Sequence, residues 1–136
     1  MERLEDGAAS LGLRLSETQV AQFHRCFQEL TQWNQQVNLT AIVEYQEVQV
    51  KHFVDSLTVA LVLPEQDLAG GRILDVGAGA GFPGFPLKIA WPGIRLALLE
   101  SVGKKVRFLQ HLVVALGLEG VDVLDGRAEE LAHSPE

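Results

Sequence analysis

Ile73-Leu74-Asp75-Val76-Gly77-Ala78-Gly79-Ala80-Gly81-Phe82-Pro83-Gly84 is an apolar run that breaks abruptly into glycine. Ile73 to Val76 read as a short buried strand with an acidic residue near its end. Three glycines at alternate positions then allow a tight turn with no side chain in the way. Pro83 suits the first turn of a helix, where it has no N–H to lose. Strand, glycine loop and helix start in succession predict a ligand cradle, with free backbone N–H groups and the positive end of a helix dipole.

Two templates fit this loop. Gly79-x-Gly81-x-x-Gly84 matches the dinucleotide fingerprint, while Asp75-x-Gly77-x-Gly79-x-Gly81 matches the pattern of S-adenosylmethionine-dependent methyltransferases. The acid of the strand separates them. A dinucleotide site seldom needs one there, whereas in a methyltransferase Asp75 can order the loop or hold the ammonium of the cofactor's amino-acid part. A glycine turn without a ligand is the third reading. Downstream, Ile94 to Leu99 form a second strand pattern with Glu100 at its C-terminal end. A carboxylate there is placed to accept hydrogen bonds from both ribose hydroxyls of an adenosine, and it argues against a 2′-phosphate. A solvated strand-ending carboxylate is the alternative.

Outward from the loop, the chain divides near Pro64. Residues 1–63 read as a helical region and residues 64–136 as the first half of a nucleotide-type α/β domain. Ser16-Glu17-Thr18-Gln19 is a capping box, and Val20, Phe23, Phe27, Leu30 and Val37 share one face of a long helix. A second helix is expected from about Glu44 to Val62, with Val50, Phe53, Val54, Leu57 and Leu61 inward. After the second strand, Val102, Val106, Leu109, Val113 and Leu116 mark a helix closed by Gly117, and Val121 to Leu124 a third strand. Such alternation predicts a parallel, doubly wound sheet with ligands at the carboxyl ends of its strands.

The chain has 136 residues, 47% of them hydrophobic and 21% charged, which suffices for one core of ordinary size. The single cysteine, Cys26, excludes an internal disulfide framework and fits a reducing compartment. The charged, acidic start Met1 to Asp6 predicts no signal or transit peptide, and no apolar run reaches membrane-spanning length. No metal-ligand spacing is present, so neither a metal nor a membrane is expected.

The ordered blocks Asn38-Leu39-Thr40-Ala41-Ile42, Lys51-His52-Phe53-Val54-Asp55-Ser56-Leu57, Leu74 to Leu87, Lys104-Lys105 and Gly126-Arg127-Ala128-Glu129-Glu130 carry a resemblance to a known family. Together they resemble the bacterial small-subunit ribosomal RNA methyltransferase G family, also called glucose-inhibited division protein B. The resemblance implies a Rossmann-like class I methyltransferase fold, S-adenosylmethionine as cofactor, and methylation of N7 of a guanine in the decoding-region loop of 16S rRNA. It also implies a cytoplasmic enzyme acting on the small ribosomal subunit or its precursor. Gly77 and Phe82 match family positions that contact the cofactor. Ala128 and Glu129 match the pair lining the adenine. With Asp75, Gly79, Gly81 and Glu100 these make the expected cofactor site. A sheet of this class has seven strands and only three are legible here. An N-terminal fragment is therefore expected, with an unpaired edge beside Val121–Leu124.

His52, Asp55 and Ser56 share a helical face if their segment is helical. Three readings stay open: a hydrolase-like cluster, a structural tie to the Asn38–Ile42 loop, or a border of the cofactor and guanine site. On the last, Asn38, His52 and Asp55 are the substrate-proximal candidates. Charge pulls the other way. The net charge is −7, residues 1–60 hold four basic against eight acidic side chains, and Lys104, Lys105 and Arg107 form the one dense basic group. Composition alone favours a small-molecule methyltransferase. A non-catalytic binding fragment is a further alternative.

Overall fold

A computed structural model describes residues 1–126, an α/β arrangement in which helices precede a three-stranded parallel sheet. Helix α1 (Glu2–Ser10) seals the N-terminal region with Leu4 and Ala8, both buried. The sequence reading covered it only as part of a helical region and did not mark it as an element of its own. In α2 (Glu17–Asn34) the capping box is complete, since Ser16 Oγ accepts from the Gln19 N–H while Gln19 Oε1 accepts from the Ser16 N–H. The helix ends at Asn34, so Val37 lies beyond it in the following turn and not on its apolar face as expected.

The second helical stretch is a composite. Glu44 caps α3 (Tyr45–Glu47), a π-helical segment runs over Val48–Val54, and α4 (Asp55–Thr58) and a 3₁₀ turn at Val59–Val62 complete it. The wider π turn resets the side-chain register. Phe53 and Leu57 are buried and Val54 is half-buried as expected, but Val50 is 43% and Leu61 70% exposed, whereas Val48 and Gln49 turn inward. Buried Gln49 is satisfied because its Oε1 accepts the Leu4 N–H, which ties α1 to this rod.

Beyond α5 (Glu65–Gly70), β1 (Arg72–Val76), β2 (Arg95–Glu100) and β3 (Val121–Asp125) pair in parallel in the order β1-β2-β3. Arg72 pairs with Arg95 and Leu96 with Val121. The central position of β2 explains its nearly continuous apolar run. The expected unpaired edge at β3 is one of two, because β1 is also an edge among the described residues. Helices α6 (Gly84–Ala90) and α7 (Gly103–Ala115) cross between the strands. Val106, Leu109 and Leu116 are buried and Val113 half-buried, while Val102, expected inward, is the exposed residue preceding α7. Gly117 closes α7 with φ +63°. On the sheet face away from α6, Leu74 and Val76 are 49% and 53% exposed.

Side-chain bonds lock the helical region to the sheet layer. Gln19 Nε2 donates to the carbonyls of Ile89 and Ala90, and Gln22 Nε2 to that of Leu116. Glu29 accepts from Arg25 and meets His111 Nε2 at 2.7 Å across α2 and α7. Burial pushes the Glu29 carboxyl up, but the bonds from His111 and Arg25 outweigh it and hold it below the ordinary carboxylate range. The fold thus presents the carboxyl ends of its strands, and the glycine loop, on a scaffold fixed from behind.

Candidate cofactor site at the glycine loop

The loop after β1 is held almost entirely by its own amides. Gly77 and Ala78 donate to the Leu99 carbonyl, Gly79 to Glu100 Oε1 at 2.8 Å, Gly81 to the Ala78 carbonyl and Phe85 to the Gly81 carbonyl. The Gly84 N–H donates to Asp75 Oδ2 at 3.2 Å. The sequence predicted free N–H groups here. The structure narrows this: these six amides are spent inside the protein, because a tight loop satisfies its donors locally, while the Ala80 and Phe82 amides meet no acceptor among the described residues.

Two glycines show why the residue type is needed. Gly81 has φ +93°, and a Cβ there would sit 2.1 Å from Phe85 Cδ2. Gly77 has φ +66°, yet a Cβ there meets no protein atom within 4 Å. The first glycine is demanded by packing, whereas the second leaves open space beside the loop.

Asp75 and Glu100, predicted as site residues, both meet the loop but differ in state. Register places Asp75 beside Leu98, on the face that carries Glu100 two residues on. Asp75 is half-buried and receives one amide. Burial pushes its carboxyl up to about 6, with the Gly84 N–H pulling slightly the other way. Glu100 is buried and receives three amides, from Gly79 on Oε1 and from Ser101 and Val102 on Oε2. Burial raises it, but these hydrogen bonds, with Lys105 adding to them, outweigh burial and leave it below the ordinary range. Asp125 ends β3 opposite Glu100, an acid the sequence reading did not single out. Its signal was available: each of the three strands carries an acid at or next to its last residue.

Phe82 of the loop is stacked on His52, with ring centroids 4.5 Å apart and planes 13° from parallel. Thr40 Oγ1 lies 2.8 Å from His52 Nε2 and accepts the Ile42 N–H, while Asn34 Oδ1 accepts the N–H groups of Leu39 and Thr40. Ser56 Oγ donates to the His52 carbonyl. That hydroxyl is therefore spent on backbone, and the hydrolase-like arrangement does not form. Asn38 and Asp55 are exposed nearby on the same two segments. The role of Asn34 escaped sequence reading. An asparagine at a helix end before a polar turn was its signal. Ala128 and Glu129 lie outside the described residues. Among the described residues no cluster of three or more His, Cys, Asp or Glu could hold a metal, and no helix is long and apolar enough to cross a membrane.

A parallel sheet, a glycine loop after its first strand and acids at its carboxyl ends define the Rossmann-like α/β methyltransferase class, present here as an incomplete sheet behind N-terminal helices. A family model described as rRNA small subunit methyltransferase G matches residues 19–136, and the chain belongs to that family. A ribosomal RNA small subunit methyltransferase G of Dehalococcoides mccartyi is 48% identical over 135 residues, covering 99% of this chain and 56% of the relative. Those of Caldanaerobacter subterraneus subsp. tengcongensis and Roseiflexus sp. are 49% and 46% identical, with 96% and 100% of this chain covered against 54% and 57% of theirs. The chain spans little more than half the length of these relatives.

Proposed function

We propose that this chain supplies the S-adenosylmethionine-binding half of a cytoplasmic enzyme that methylates N7 of a guanine in the decoding-region loop of 16S rRNA. The observation that carries the choice of cofactor is the state of the glycine loop. A pyrophosphate calls for an array of free loop amides and has no use for a carboxylate at the end of the first strand, whereas here six loop amides are spent and Asp75 stands beside the loop. That arrangement favours a cationic ligand. Asp75 keeps Oδ1 for an ammonium, and Glu100 keeps acceptor capacity beyond its three amides for a ribose hydroxyl. The space beside Gly77 supports a close backbone approach. Gly79 and Gly81 shape the turn and Phe82 walls it; the family resemblance assigns the adenine to Ala128 and Glu129.

When bound, the cofactor supplies an electrophilic methyl on sulfur. Guanine N7 has an exposed lone pair, so the chain's residues need only orient the two partners and exclude water, and no general base is assigned. Asn38, His52 and Asp55 stand on the side of the site where the guanine would enter. Membership of the rRNA small subunit methyltransferase G family supports rRNA of the small subunit as the substrate.

The test uses the protein carrying this chain at the full length of its relatives. Calorimetry should show binding of S-adenosylmethionine and not of NAD. Complementing a deletion strain should restore 7-methylguanosine in the decoding region, and unmodified rRNA after complementation would overturn the assignment. The net charge of −7 favours a second reading, a small-molecule methyltransferase on the same scaffold. Labelled methyl in a metabolite pool rather than in rRNA would select it.

A further inference from the structure

His52 makes two contacts that belong to different parts of the molecule. Its ring face lies on Phe82 of the glycine loop, while Nε2 at its edge meets Thr40 Oγ1. Thr40 sits in a loop whose backbone is fixed at one end by Asn34 Oδ1, and its own Oγ1 holds the Ile42 N–H. The backbone of His52 is itself set, since Ser56 Oγ donates to its carbonyl and the next residue, Phe53, is fully buried with its ring tilted against Phe82 at 5.9 Å. The residue occupies the π-helical segment Val48–Val54, and such segments recur at functional sites. An imidazole suits the position because few side chains offer both a flat face for stacking and a polar edge. Burial holds it below the ordinary histidine range, with Asp55 pulling the other way, so the ring stacks as a neutral group.

We propose that His52 is a positioning residue that couples the Asn38–Ile42 loop to the glycine loop through Phe82, so that methyl acceptor and cofactor are aligned by one connected wall. This rests on the methyltransferase reading above. Neither contact touches a reacting atom, so His52 acts through Phe82 and Thr40. The two contacts are separable. His52→Phe keeps the stack and loses the polar edge, Thr40→Val loses the same bond from the other side, and Thr40→Ser retains it.

The experiment measures S-adenosylmethionine affinity by calorimetry and methyl transfer to small ribosomal subunits lacking the modification, using the full-length protein. His52→Phe should hold the cofactor dissociation constant within about twofold while lowering kcat about tenfold, because alignment and not affinity is lost. Thr40→Val should lower kcat at least as much, because it also strands the Ile42 N–H; the double variant should be no worse than Thr40→Val alone, and Thr40→Ser should restore kcat. His52→Ala should add a loss of cofactor affinity of about tenfold as Phe82 is released. If the wild type is active and these variants only lower the melting temperature with kcat unchanged, or if the two losses multiply, the coupling role is wrong while the methyltransferase reading stands. A wild type that neither binds S-adenosylmethionine nor modifies the subunit overturns both.

Discussion

The loop over 77–84 and the loop over 37–44 lie on opposite sides of one stacked pair, Phe82 on His52, and solve the same problem in different ways. Each must satisfy backbone donors without a regular ladder. The first uses glycines with positive φ and two carboxylates supplied by neighbouring strands, Asp75 and Glu100. The second uses one local asparagine, Asn34, whose side-chain oxygen takes two consecutive amides, and a threonine that takes a third. A loop fixed from distant strands inherits the rigidity of the sheet, which suits a binding wall. A loop fixed by a side chain of the preceding helix moves with that helix. The His52 bridge is what makes the two behave as one.

The sharpest way to break the contrast lies within the glycine loop itself. Gly81→Ala should cost about 3–5 kcal/mol, combining left-handed backbone strain with a Cβ driven into Phe85. Gly77→Ala should cost only about 1–3 kcal/mol from strain, since its Cβ meets no protein atom, yet it should abolish cofactor binding. Urea unfolding paired with cofactor calorimetry separates the two effects. Equal stability losses would mean that packing around Gly81 has no role.

Next in size is Glu100→Ala, which strands three amides and should destabilise by about 2–4 kcal/mol while weakening cofactor binding. The sign of its pH dependence is fixed. A carboxyl held below its ordinary value stabilises the fold above that value and loses the contribution as pH falls through the depressed one. The gap between wild type and variant, followed by thermal melts, should therefore close in acid. A gap independent of pH would show that shape and not charge pins the loop. On the other side of the bridge, Asn34→Ala should cost about 1–3 kcal/mol, with Asn34→Asp recovering part of it. Protection of the Leu39 and Thr40 amides from hydrogen exchange should fall in the alanine variant and leave Gly79 protected.

How much of this was legible follows from where each constraint is written. Glycine at 77, 79 and 81 announces its own backbone demand, so the strand, loop and helix order came directly from sequence, as did the capping box at Ser16 and the C-cap at Gly117. The rod from Tyr45 to Val62 was placed with the wrong face at Val50 and Leu61, because a helical pattern assumes one period and the π-helical turns at Val48–Val54 change it midway. Phe53, inside that segment, packs on Phe23 and Phe82, contacts distant in sequence that no local propensity encodes. Most of the amides expected to be free in the loop were spent for a related reason. Sequence shows that donors exist, but their acceptors on Leu99 and Glu100 are brought close by strand pairing.

The smallest expected effect is also the most discriminating between the two acids of the site. Asp75 has a folded-state pKa of about 6 against an ordinary 3.8, so the folded chain binds a proton that the unfolded chain has already released. Stability should fall as pH rises from about 4 to about 6 and stay lowered above. Because the side chain is only half-buried, solvent screening limits the cost to about 1 kcal/mol. Asp75→Asn keeps an oxygen for the Gly84 N–H and removes the charge, so it should raise stability slightly at pH 8 and change nothing at pH 4. The same variant should weaken S-adenosylmethionine binding, because the carboxylate that burial strains is the one proposed to meet the ammonium. Wild-type affinity should likewise weaken as pH drops below about 6. A variant that loses stability at pH 8, or one that binds cofactor as well as wild type, would make Asp75 a loop anchor like Glu100 and dissolve the distinction between them.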